Sequence, residues 1–131
     1  MNINKLYKWI NENKHRVFSW GDADCCTFTC DFVKHMVDID PAEKHRGQYD
    51  SEIGAKRAIV EFGSIEDSFD AHFNRVPFNH AMRGDIVLYN TKRGVTMGII
   101  WSGGAFTIGE ESCTVVPVTS DMVTAVWRIE E

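Results

Sequence analysis

The chain has 131 residues, of which 44% are hydrophobic and 25% charged. That is enough for one domain with its own core and too little for two. Nineteen Asp and Glu against fourteen Lys and Arg leave a net charge of -5, the opposite of what a protein neutralising phosphates carries, so no nucleic-acid partner is expected. No apolar run approaches the roughly 20 residues of a membrane span, and the polar, amphipathic stretch Met1 to Lys14 has no signal-peptide core.

The chain changes character near residue 76: residues 1–76 pattern as helix and residues 77–131 as strand. Ile3, Leu6, Tyr7 and Ile10 make one helical stripe. Asp24 reads as the N-cap of a helix running to about Val37, with Cys26, Cys30, Val33 and Val37 along one face. Asp38 to Asp50, where Pro41 and Gly47 fall among charges, is linker-like but too short to separate two domains. Ala55, Ala58, Ile59 and Phe62 form the next stripe, started by Asp50 or Ser51 and stopped by Gly63. Ile65, Phe69 and Phe73 predict a short helix ended before Pro77.

The second half opens with Gly84-Asp85 and a strand over Ile86 to Tyr89. A turn at Asn90 to Gly94 returns it as Val95 to Trp101, and Ser102-Gly103-Gly104 turns it again. Ala105 to Ile108, Cys113 to Val118 and Val123 to Ile129 complete five strands. Their short connections predict antiparallel neighbours. Helices first and a meandering sheet second is an α+β layout.

Cys25 is the sharpest chemical candidate. It stands at the first turn of a helix, where the dipole and free backbone N–H groups favour a thiolate and could bind an oxyanion. Trp20-Gly21 just upstream would wall a groove. The competing reading is a packed thiol, and it is the one given to Cys26 and Cys30. The four cysteines, at 25, 26, 30 and 113, read as reduced thiols of a protein made in a cytoplasm. A metal site from Cys25, Cys26, Cys30 and His35 fails on spacing, and no cofactor is expected. A cysteine nucleophile needs a base. Of His15, His35, His45, His72 and His80, none falls on a predicted strand; His80, in the connection entering the sheet, is the one that could approach the helix N-terminus. Asp85 is expected to bond turn amides. Trp101 and Trp127 read as core or groove walls, and Glu110 and Glu111 as a solvated turn.

Trp20-Gly21-x-x-Asp24-Cys25, then Gly84-Asp85-Ile86-Val87, then Met97-Gly98-Ile99-Ile100, form an order that resembles the NlpC/P60 superfamily of papain-like cysteine peptidases. The chain is most similar to a small related family of tailed phages and prophages. That likeness includes Arg46-Gly47-Gln48-Tyr49-Asp50-Ser51, Gly54-Ala55 and the terminal Ala125-Val126-Trp127-Arg128. The resemblance implies a papain-like fold, with the Cys25 helix packed on an antiparallel sheet. It also implies Cys25 as nucleophile, peptidoglycan peptides as the substrate class, and a role in the phage tail. In active members a histidine directly precedes the segment matching Met97-Gly98-Ile99; here that position is Thr96, which cannot act as a general base.

Two expectations follow. One is a tail-associated structural or assembly protein, made in the host cytoplasm and carried into the virion tail. Its groove, with Trp20, Asp24 and Thr96 as candidate lining, would bind another tail protein or a peptidoglycan stem peptide. The other is a working cysteine hydrolase with Cys25 as nucleophile and His80 as a relocated base.

Overall fold

The computed structural model describes residues 2–92, 94–109 and 111–130; the side chain of Phe62 lies outside what it describes, as do Arg93 and Glu110 of the two predicted turns. Four α-helices come first: α1 (Ile3–Asn13), α2 (Cys25–Val37), α3 (Glu52–Phe62) and α4 (Ile65–His72). The strands are β1 (Asn74–Arg75), β2 (Ile86–Thr91), β3 (Gly94–Trp101), β4 (Gly104–Ile108), β5 (Cys113–Val116) and β6 (Val123–Arg128), with a 3-10 turn at Phe78–His80 between β1 and β2. They form one antiparallel sheet in the order β1-β6-β2-β3-β4-β5. The fold is α+β, and among the described residues no helix is long and apolar enough to cross a membrane.

Strands β2 to β5 are a meander, as their short turns predict. The last strand departs from it. β6 crosses back to pair with β2 on one side and β1 on the other. This register buries Trp127 completely and sets it 4.9 Å from the Phe69 ring. The two-residue β1 lies in the half that patterns as helix. It forms because Phe73, buried at the end of α4, turns to an extended backbone. β5 ends at Val116, short of Val118, where Pro117 has no N–H to give the ladder.

Alternation along β2 divides the core. Ile86 and Leu88 face α1, α2 and α4 with Met97, Ile99, Phe106 and Trp127. Val87 and Tyr89 face the opposite side with Ala105 and Val126, under Phe78, Val116 and Met122. The helical stripes shift in detail. α1 buries Leu6, Trp9 and Ile10, whereas Ile3 and Tyr7 are exposed. α3 buries Ala58 and leaves Ile53, Ile59 and Val60 exposed.

The stretch from Asp38 to Asp50 is no linker. Arg46 forks onto Asp40 at 2.7 Å and Asp31 of α2 at 2.8 Å, and Ala42 and His45 are buried.

Candidate functional site

Asp24 organises the N-terminus of α2. Its backbone is extended, and its Oδ1 accepts from the N–H groups of Cys26 and Thr27 at 3.0 and 2.9 Å. Thr27 Oγ1 accepts in return from the Asp24 N–H at 2.9 Å, closing a capping box. Oδ2 accepts from the Gly21 N–H at 2.9 Å and from the Tyr49 hydroxyl at 2.6 Å. Asp24 is thus saturated and 1% exposed. It was expected to line a groove as a binding residue; it does border the hollow behind α2, but its oxygens are spent on holding the turn together. Gly21 completes that turn: its φ is +81°, and a Cβ there would lie 2.0 Å from the Tyr49 carbonyl oxygen. The turn presents Trp20, stacked edge-on against Phe18 at 5.0 Å, beside Cys25.

Cys25 is half-buried at the first position of α2. It borders two hollows. The inner one, about 160 Å³, lies between the start of α2, the segment carrying His45 and Tyr49, and β3. The outer one, an open groove of about 810 Å³, runs over the sheet past Tyr89, Thr107 and Met122. Trp20 and Thr96 border both. The structure therefore brings Trp20, Cys25 and Thr96 together, as their order in the chain suggested. Thr107 Oγ1 donates to the Met97 carbonyl at 2.8 Å and fixes β3 next to the thiol.

The electrostatics oppose the activated thiolate expected at a helix N-terminus. Burial pushes the Cys25 thiol up to about 12, and the neighbouring Cys26 and Asp24 charges act in the same direction. Hydrogen bonding from the Met97 and Cys26 backbone only partly offsets this. Desolvation outweighs the dipole, so the thiol is protonated at neutral pH. Cys26 is also pushed up, first by its contact with Cys30 and then by burial. Burial and the hydrogen bond to Asp24 raise Tyr49.

His80 lies apart from these groups. It is exposed in the 3-10 turn against β6, its carbonyl accepts from Arg128 Nη2 at 3.0 Å, and it borders neither hollow among their described lining residues. The histidine that does border the inner hollow is His45, 4% exposed, whose Nε2 donates to the Gly63 carbonyl at 2.7 Å. Sequence reasoning placed it in a charged loop. The signal for its burial is its spacing of three from Ala42, on the same side of a turn. Tyr49 and Tyr89 were also missed. Asp85 takes its expected role: Oδ2 accepts from the Met82 N–H at 2.8 Å, and Arg128 pairs with it at 3.0 Å.

Among the described residues, no group of three or more His, Cys, Asp or Glu is arranged to hold a metal ion. No curated protein matches the chain. The profile of a family described as a domain of unknown function, DUF6950, matches residues 3–129, and the chain belongs to that family.

Proposed function

We propose that the protein is a catalytically degenerate NlpC/P60-like module, papain-like in topology, that binds a peptide in the groove beside Cys25 and serves in the phage tail. The tail assignment rests on the sequence resemblance, and its partners are then another tail protein or the peptidoglycan stem. One observation carries the loss of catalysis. Thr96, at the position where active relatives of the resembled superfamily have their base, borders the same hollows as Cys25, and the thiol there is held protonated by burial. A protonated thiol without a histidine at that position lacks the group that takes its proton in the resembled superfamily.

A cysteine hydrolase is the second reading. In it Cys25 attacks the carbonyl, the Cys25 backbone N–H steadies the oxyanion, since that of Cys26 is spent on Asp24, and a relocated histidine moves the proton. His45 is better placed for that than His80, because it borders the hollow next to Cys25.

Incubating the purified protein with peptidoglycan stem peptides and reading products by mass spectrometry separates the two. Binding without turnover is the expected result. Turnover that disappears in Cys25→Ala overturns the proposal in favour of the hydrolase.

A further inference from the structure

Tyr89 sits on β2 directly across from Thr96 on β3. Its side chain is completely buried, yet its hydroxyl has no hydrogen-bond partner in the protein. Stranding a buried hydroxyl is costly, and phenylalanine would fill the same space among Val87, Ala105 and Val126 without that cost. The hydroxyl is explained if something else uses it. Tyr89 borders the outer groove together with Cys25, Thr96 and Thr107. Burial raises the phenol to about 12, with the Cys25 charge adding to the effect, so both Tyr89 and Cys25 are neutral donors at physiological pH.

We infer that the Tyr89 hydroxyl is a binding group, donating to the backbone carbonyl oxygen of a peptide lying in the groove beside Cys25. The inference rests on reading the groove as a peptide site and names the contact that holds the peptide there. A neutral carbonyl fits better than a carboxylate. Burying an anion requires a buried cation, and among the described lining residues the cation is Lys92, exposed at the rim with Glu52 as its opposite charge. Apart from Thr91, the remaining described lining, including Phe18, Trp20, Val116 and Met122, carries no polar side-chain group beyond the Trp20 indole N–H and suits small aliphatic side chains.

The test titrates the wild type and Tyr89→Phe by calorimetry with N-acetyl-Val-Ala-Val-amide and with the same tripeptide bearing a free C-terminal carboxylate, and records both melting curves. The wild type binds the blocked peptide at least as well as the free acid. Tyr89→Phe binds it about tenfold more weakly, the worth of one hydrogen bond, while melting a few degrees higher because the stranded hydroxyl is gone. Opposite signs for binding and stability are what a merely structural tyrosine does not give. Equal affinity in Tyr89→Phe, as expected if no ligand uses the hydroxyl, overturns the inference and leaves the peptide site standing. Preference for the free acid overturns the choice of carbonyl. Binding of neither peptide by the wild type removes the peptide site and this inference with it.

Discussion

The Tyr49 hydroxyl donates to Asp24 Oδ2 at 2.6 Å across 25 residues of chain. The bond joins the segment after α2 to the N-terminus of α2 and ties the Cys25 turn to it. Asp24→Ala removes the cap and strands the Tyr49 hydroxyl and the Gly21, Cys26 and Thr27 N–H groups, and should cost about 3 kcal/mol or more. Tyr49→Phe should cost about 1.5–2 kcal/mol, the range for a hydrogen bond to a charged group. Urea denaturation of both single variants and the double variant checks this. The double variant should lose less than the sum, because the singles share one bond.

Gly21→Ala tests the same turn from the backbone side. The new Cβ meets the Tyr49 carbonyl oxygen at 2.0 Å in a left-handed backbone, and the clash and strain together should cost about 3 kcal/mol. A variant with an unchanged melting temperature would mean that the Trp20-Gly21 turn is not held against Tyr49.

Much of this turn was legible in the sequence and some was not. Asp24 as cap follows from an acceptor standing just before an apolar helical stripe, and its effect is local. Its saturation by Tyr49 is not local, and nothing in the spacing of residues 24 and 49 announces it. The grouping of Trp20, Cys25 and Thr96 was readable only as an ordered set of short motifs. The return of β6 to β2 was hidden for a different reason: strand order is decided by what Trp127 packs on, namely Phe69 of α4, and not by loop length. Tyr89 looked like any aromatic in a buried strand. Its chemical interest lies in a missing hydrogen bond, which no pattern of residues records.

Alkylation of Cys25 against pH, followed by peptide mass spectrometry, tests the state of the thiol. Cys25 should react slowly near neutral pH and show an apparent pKa above the ordinary thiol value of about 8.5, because burial raises it. Cys30, with no exposed surface, should be protected in the folded protein, and Cys26 and Cys113 serve as further references. Fast reaction of Cys25 at neutral pH, as for an activated nucleophile, would falsify the degenerate reading.

Thr96→His asks whether position 96 is the vacated base position. An imidazole bordering the same hollows as Cys25 should form an ion pair with the thiolate and lower its apparent pKa by at least about one unit. Stem-peptide cleavage should then emerge, and should vanish when Cys25→Ala is added. If the variant folds and binds peptide but leaves the Cys25 alkylation profile where it was, Thr96 does not stand in the base position.

The raised thiol and phenol also fix how stability depends on alkaline pH. Cys25 goes from 9.0 to about 12 and Tyr89 from 10.0 to about 12 on folding. Between these limits the unfolded chain has lost protons that the folded protein keeps, so it binds fewer, and the free energy of unfolding falls as pH rises. The stabilisation is complete below pH 9.0 and is lost progressively toward pH 12. Each group contributes a slope of up to about 1.4 kcal/mol per pH unit where its two states differ by a whole proton. Urea midpoints measured from about pH 8 to about pH 10.5 should be flat at first and then decline. Cys25→Ala should decline less steeply than the wild type, because its share of the linkage is gone. Parallel curves for the two proteins would mean that Cys25 titrates alike folded and unfolded, and that the thiol is not held protonated by its surroundings.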